Sequence, residues 1–182
     1  EWVEIKDSKG VNILDKFYND TKKWAFPFQM TTFITRVQKI ATIPNNRLAL
    51  VERSVFTDKK CFARSLFESG HLNEIEWKLY NDWFVWLCDN FNVKPSAYIY
   101  LKTEPETCFE RIKKRSRNEE TTISLDYLSK LHDKHEQWMS YERKYMPVLT
   151  IDVRKDFEHT PERLNEIIKQ VQTFIKIINI YI

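Results

Sequence analysis

Residues 97–106 read Ala-Tyr-Ile-Tyr-Leu-Lys-Thr-Glu-Pro-Glu, a short β-rich run followed at once by the start of a helix. Thr103 to Glu106 has the pattern of a capping box with proline in the first turn, which predicts a helix over 104–116. Two further β-rich runs, 48–51 and 148–153, also precede helical patterns. Because strands that alternate with helices build a parallel sheet covered by helices, the sequence predicts an α/β fold.

Helical periodicity extends along most of the chain, with apolar residues three or four positions apart. Further helices are predicted at 11–20, 26–42, 57–69, 73–91, 125–142 and 160–177. The last of these has a helix start at Thr160-Pro161-Glu162. No repeat, linker or low-complexity segment divides the pattern, so we predict a single domain over residues 1–182.

The charge balance and the cysteines limit the partners and the compartment. The chain has 29 basic and 26 acidic residues, and a net charge of +3 does not indicate a nucleic-acid or membrane partner. The three cysteines are far apart and form no CxxC pair, which favours a reducing environment. We expect an intracellular, cytoplasmic protein. A mitochondrial location stays open, because a leading segment can precede Glu1.

Polar residues directly after the predicted strands are the first candidates for a functional site. In an open α/β sheet, ligands bind beyond the carboxyl ends of the strands. Glu52-Arg53-Ser54, Lys102-Thr103 and Arg154 to Phe157 occupy these positions. Glu52 and Arg53 place an acid beside a base immediately after an apolar run. The pair is either a catalytic pair or a solvated loop.

Arg111, Arg115 and Arg117 lie at the end of the helix predicted at 104–116. Arg111 and Arg115 are four positions apart and share a helix face. Such close cations repel one another unless an anion lies between them, and guanidinium groups suit phosphate oxygens. The alternative is a solvated helix end whose cations complement the helix dipole.

The sequence from Arg111 to Glu120, Arg-Ile-Lys-Lys-Arg-Ser-Arg-Asn-Glu-Glu, resembles the lid of the deoxynucleoside kinases, of the deoxycytidine and deoxyguanosine kinase type. Further similar motifs follow the family order over essentially the whole chain. They are Trp24-Ala-Phe-Pro-Phe28-Gln29, Glu52-Arg53-Ser54, Glu76-Trp77 with Asp82-Trp83, Tyr98 to Leu101 with Pro105 to Cys108, and Tyr127-Leu with His132 to Glu136. The resemblance implies a P-loop-kinase-like fold with an arginine-rich lid, and a homodimer formed near Trp77, Trp83 and Trp86.

The same resemblance implies a deoxynucleoside pocket. Gln29 would pair with the base through its amide, Phe28 and Phe62 would sandwich the ring, and Leu14 and Phe17 would add apolar wall. Tyr18 and Glu120 would hold the sugar 3′-hydroxyl. Arg36 and Asp58 stand where the cytidine and guanosine kinases of the family have an arginine and an aspartate, which implies a preference for deoxycytidine, deoxyadenosine or deoxyguanosine over thymidine.

On the phosphate side, the resemblance implies that ATP and Mg²⁺ are bound. Glu52 would hold Mg²⁺, and Arg53 would steady the attacking 5′-oxygen. Arg111, Arg115 and Arg117 would neutralise charge during transfer. Arg115, Asp156 and Phe157 would form the adenine site.

The chain departs from the family in lacking the GxxxxGK[ST] phosphate loop and the general-base glutamate within its 182 residues. We expect these residues alone to be a poor catalyst. They are either part of an intact kinase or a non-catalytic nucleoside-binding protein on a kinase-like fold. A nucleoside monophosphate kinase and a nucleic-acid binder are weaker alternatives. His132, His135 and Glu136 are interpreted as an exposed polar helix face, in preference to a metal site.

Overall fold

The computed structural model describes residues 2–44 and 47–179, apart from the side chains of Asn118 and Asn179. The sheet joins β1 (Tyr98–Lys102) to β2 (Val148–Asp152), and the two strands run parallel. Parallel neighbours need a crossover connection, which here runs through α6 (Pro105–Arg115) and α7 (Leu125–Glu142). The predicted α/β class is confirmed.

Helices make up most of the remaining structure. They are α1 (Ile13–Asn19), α2 (Thr21–Ala41), α3 (Val55–Thr57), α4 (Arg64–Glu68), α5 (Glu74–Asn90) and α8 (Pro161–Asn179). A π-helix, Asp58–Ala63, connects α3 to α4, and short 3₁₀ turns cover Trp2–Glu4 and Asn118–Glu120. No helix in the described ranges has the length and apolar character needed to cross a membrane.

Side-chain caps explain where several helices begin. The Asn12 side chain accepts a hydrogen bond from the Asp15 amide at 2.8 Å and starts α1. At the start of α5, Asn73 accepts from the Glu76 amide while the Glu76 carboxylate accepts from the Asn73 amide, both at 2.9 Å. Each of these bonds satisfies a backbone donor that has no partner within the helix.

Two predicted helix starts are corrected. Helix α2 begins at Thr21 rather than residue 26, because Asp20 accepts a hydrogen bond from the Lys23 amide, and the helix continues through Pro27. The capping box at Thr103–Glu106 is wrong. Glu104 is the N-cap of α6 and makes no side-chain cap bond, although proline stands in the first turn as predicted.

The strand predicted at Leu48–Val51 is wrong. Within residues 2–44 and 47–179, strand pairing is confined to β1 and β2, apart from one isolated bridge between Lys6 and Asn12. Residues 48–51 lack regular structure, and the Leu50 side chain is 66% exposed. A β-rich segment becomes a strand only where a neighbouring strand accepts and donates its backbone hydrogen bonds.

The sheet is covered by other parts of the chain on both of its faces. Tyr98 and Tyr100 pack on one face with Cys61 and Trp138. Ile151 packs on the other face with residues of α8. A larger core joins α1, α2 and α5 around the fully buried Phe33 and Tyr80.

Candidate active site

A cavity of about 480 Å³ lies at the carboxyl end of β1, between α1, α2, the π-helix, α6 and α7. Most of the predicted site residues line it. They are Leu14, Phe17, Tyr18, Phe28, Gln29, Glu52, Arg53, Asp58, Phe62, Arg115, Arg117 and Glu120. Residues more than one hundred positions apart in the sequence therefore share one site. The site is concave, which is the usual form of a small-molecule site.

One end of the cavity is aromatic and nearly closed to solvent. The rings of Phe17 and Phe28 stack with their centres 4.5 Å apart, and the Trp2 ring meets Phe28 edge-on at 5.6 Å. Gln29 is only 3% exposed, and its Oε1 atom has no hydrogen-bond donor among the described residues. A buried amide oxygen without a donor is unfavourable by about 1–3 kcal/mol, so a ligand that donates to it would be stabilised.

Arg36 and Asp58 form an ion pair beside this end. The Arg36 Nε atom donates to Asp58 Oδ2 at 2.6 Å, and both side chains are largely buried. Burial raises the pKa of Asp58 to about 6, although the Arg36 guanidinium opposes the rise. The charged form of Asp58 therefore depends on Arg36 for its stability in this environment.

A π-helix carries Asp58 and Phe62, which lie four positions apart and both line the cavity. The sequence predicts one continuous helix over 57–69, but the structure has a π-helix from Asp58 to Ala63 within it. The wider turn of a π-helix changes which side chains share a face, and such turns occur often at functional sites.

Glu52 and Arg53 lie at the mouth of the cavity, in an exposed turn. The backbone of Arg53 has φ 60°, in the left-handed region that residues other than glycine rarely adopt. Its guanidinium carbon is 4.6 Å from the centre of the Phe62 ring. The turn is followed by Ser54 and Thr57, whose side chains and backbone amides cap α3 reciprocally.

The lid arginines are paired with Glu120. The Glu120 carboxylate accepts from Arg115 Nη2 at 2.6 Å and lies 3.6 Å from Arg117 Nη1. Glu120 is 9% exposed, so these cations compensate for its burial. Burial, followed by the charge of Glu120, raises the pKa of the nearby Tyr18 hydroxyl.

The structure brings Arg111 and Phe157 together away from the other two lid arginines. Arg111 donates to the Val153 carbonyl at 2.6 Å, and its guanidinium carbon lies 5.8 Å from the Phe157 ring centre. Asp156 accepts from the Glu158 amide at 2.9 Å and pairs with His159. Arg115, which is predicted to share the adenine site with Phe157, is bound to Glu120.

Helix α7 contributes cavity residues to which the sequence assigned no role. Tyr127, Leu131 and His135 are spaced four positions apart and line the cavity together. This i, i+4, i+8 spacing was the available signal. Burial raises the pKa of the Tyr127 hydroxyl and lowers the pKa of His135.

The interpretation of His132 and His135 as an exposed face is therefore wrong. Both side chains are half-buried, because they lie with Leu131 on the side of α7 that lines the cavity. The His135 ring lies edge-on to Phe62 and is stacked on Tyr100. Across residues 2–44 and 47–179, no group of three or more His, Cys, Asp or Glu side chains is arranged to hold a metal ion.

Comparison with known proteins finds relatives of this chain among the deoxynucleoside kinases. A probable deoxycytidine kinase of Fowlpox virus is 38% identical over 176 residues, which span 94% of this chain and 75% of the viral protein. The mitochondrial deoxyguanosine kinase of Xenopus laevis is 38% identical over 90% of this chain and 68% of its own length. The deoxycytidine kinase of Homo sapiens is 36% identical over 93% and 72%.

The family model for deoxynucleoside kinase matches residues 1–176, which is nearly the whole chain. The match includes every residue that lines the cavity and both strands of the sheet. The chain belongs to the deoxynucleoside kinase family.

Proposed function

We propose that the protein phosphorylates the 5′-hydroxyl of a deoxynucleoside with ATP, and that it prefers deoxycytidine or a deoxypurine nucleoside to thymidine. Membership of the deoxynucleoside kinase family supports nucleoside phosphorylation in salvage. The substrate and the donor are inferred from the cavity. The observation that carries the proposal is the Gln29 side-chain oxygen, which has no hydrogen-bond donor at the closed, aromatic end of the cavity.

A nucleobase meets the requirements of this end. Its flat ring would lie between Phe28 and Phe62, which both line the cavity, and its edge would offer the donor that Gln29 Oε1 lacks. The Gln29 amide can also donate through its nitrogen, so it can make two bonds to one base edge. A purely apolar ligand would leave the buried oxygen without a partner.

The Arg36–Asp58 pair supports the preference against thymidine. Asp58 accepts hydrogen bonds when ionised, so it suits the exocyclic amino group of cytosine or adenine. Arg36 is not among the residues that line the cavity, and it would act on the base by holding Asp58. In the proposed binding mode, the same pair would crowd the 5-methyl group of thymine.

The opposite end of the cavity suits phosphate. Glu52 and Arg53 lie at a common turn, and Arg115 and Arg117 reach the cavity from the lid. A single carboxylate is an adequate protein ligand for Mg²⁺, which keeps several waters and binds phosphate oxygens. ATP and Mg²⁺, when bound, supply the transferred group and neutralise its charge. Glu52 would hold the metal, while Arg53 would orient the 5′-oxygen.

For the adenine of ATP we propose the loop that contains Asp156 and Phe157, together with Arg115. In the structure, the guanidinium group of Arg111 rather than that of Arg115 lies near the Phe157 ring. Arg115 would have to leave Glu120 in order to reach it. Arg111 would hold the loop through the Val153 carbonyl.

We also infer a homodimer formed through α5. Four of its exposed apolar side chains, Ile75, Leu79, Trp83 and Trp86, are spaced four, four and three positions apart and form a stripe along one face. Tyr80 and Phe84 are buried on the core side of the same helix. An apolar stripe along an exposed helix face is typical of an interaction surface.

Substitutions at the strand end test the proposal. In the full-length protein, Glu52→Gln and Arg53→Ala should each lower kcat at least roughly 100-fold, because both groups act on the transferring phosphoryl group. Kinetics with all four deoxynucleosides measure turnover and preference together, and Glu110→Gln on the exposed side of α6 is the matched charge control. A preference for thymidine contradicts the proposed specificity. Nucleoside binding without turnover in the wild type would indicate a non-catalytic binding protein.

A further inference from the structure

One side chain, Arg36, joins the base end of the cavity to the turn at its mouth. Its Nε atom donates to Asp58 Oδ2 at 2.6 Å, and its Nη1 atom donates to the Glu52 backbone carbonyl at 2.7 Å. The Trp2 ring lies 5.4 Å from the guanidinium carbon. Because the guanidinium group is planar and rigid, two bonds from different nitrogens fix the distance between the two acceptors.

The turn that Arg36 contacts needs such support. Arg53 holds φ 60°, a conformation that is unfavourable by about 1–2 kcal/mol for a residue with a Cβ atom. Glu52 and Arg53 are both exposed, so little packing restrains them. On the C-terminal side, the Ser54–Thr57 capping box holds the turn. On the N-terminal side, the Glu52 carbonyl is held by Arg36.

We propose that Arg36 is a positioning residue for phosphoryl transfer, acting through the Glu52 carbonyl to hold the Glu52–Arg53 turn in place. This role is separate from reading the base, which Arg36 performs through Asp58. The catalytic consequence rests on the proposed function, because it requires Glu52 and Arg53 to act on the transferred group. Base recognition and catalysis would then share one guanidinium group.

Two substitutions separate the roles. Arg36→Lys keeps the positive charge, but one ammonium nitrogen cannot occupy the positions of both Nε and Nη1. Asp58→Asn removes the charge of the base-side partner and leaves the bond from Arg36 to Glu52 available. Lys39→Met removes an exposed cation one turn further along α2 and is the matched control.

The first measurement is amide hydrogen exchange at Ser54, whose buried amide donates to Thr57 Oγ1 at 3.2 Å. In Arg36→Lys we expect exchange at Ser54 to become roughly tenfold faster, as for the loss of one stabilising hydrogen bond. Asp58→Asn and Lys39→Met should leave it near the wild-type rate. The Trp77 amide, bonded to the Asn73 carbonyl at 2.9 Å, is the internal reference for global unfolding.

The second measurement is kinetics of the full-length protein with deoxycytidine and thymidine. Loss of the turn should lower kcat for both nucleosides by about 10- to 100-fold in Arg36→Lys, since small misplacements near the reacting atoms have effects of this size. A role in base reading alone would change KM unequally between the two nucleosides. Equal Ser54 exchange in Arg36→Lys and the wild type would overturn the inference. Wild-type kcat in Glu52→Gln would instead contradict the proposed catalytic pair, and the exchange result would stand.

Discussion

Asp58 is a carboxylate that the fold removes from water and pairs with a single arginine. Its pKa is raised from 3.8 to about 6, so between these pH values the folded chain holds a proton that the unfolded chain has released. The free energy of unfolding should therefore fall as pH rises from about 4 to about 6, by up to roughly 3 kcal/mol from this group.

Urea unfolding of the wild type and Asp58→Asn from pH 4 to 7.5 tests this prediction. The unfolding free energy of the wild type minus that of Asp58→Asn should decrease as pH rises through 6 and be constant above about pH 7. Unpairing of Arg36 adds an offset that does not change with pH. A difference that grows with pH would show that the pairing with Arg36 outweighs burial.

Glu120 is the residue on which the predicted role of the lid depends. If it accepts a hydrogen bond from the sugar 3′-hydroxyl, Glu120→Ala should weaken deoxynucleoside binding by about 1.5–3 kcal/mol, the range for hydrogen bonds to charged groups. A 2′,3′-dideoxynucleoside has no such hydroxyl, so it should bind weakly to the wild type and lose little more in the variant.

Calorimetric titration of both ligands into both proteins forms a double-mutant cycle. Glu120→Ala also releases Arg115 and Arg117, and the dideoxynucleoside reports that effect by itself. Glu119→Ala, next along the chain, should spare both ligands. Equal losses for the two ligands would mean that Glu120 only holds the lid arginines.

At the scale of elements, α5 depends on its first turn. Asn73 and Glu76 cap each other's amides there, and the helix carries Tyr80 and Phe84 into the core. Asn73→Ala should lower the free energy of unfolding by about 1 kcal/mol, the usual effect of losing an N-cap side chain. Chemical denaturation measures the change. Lys78→Ala, at an exposed position of the same helix, should stay within roughly 0.5 kcal/mol of the wild type.

At the scale of the whole molecule, the stripe on α5 predicts the oligomeric state. Trp86 is 53% exposed and lies edge-on to Trp83 at 5.8 Å, so the two rings present one apolar surface. Trp86→Glu should shift the protein from dimer to monomer, because burying an unpaired carboxylate at an interface is strongly unfavourable. Light scattering after size exclusion measures the mass of each species. Lys78→Glu is the control for charge, and an unchanged mass in Trp86→Glu would place the interface elsewhere.

Local patterns in the sequence were sufficient for the presence of the helices, although not for all of their bounds, and for two of the three predicted strands. Helical periodicity predicted α5 and α7 to within one residue, because each helix buries one face and has a polar cap at its first turn. The strand at 48–51 failed because β-rich residues do not by themselves supply a hydrogen-bonded neighbour. The site residues came from the ordered motifs of the family, and the structure places most of them around one cavity.

Sequence alone determined the alternation of strands and helices, the charge balance and the family, since these depend on neighbouring residues and on their order. Tertiary structure alone decided which distant groups meet. The π-helix over Asp58–Ala63 and the second bond of Arg36 to the Glu52 carbonyl have no local sequence signal. Contacts of this kind depend on how whole helices pack, and packing is settled by the combined burial of many side chains rather than by any one segment.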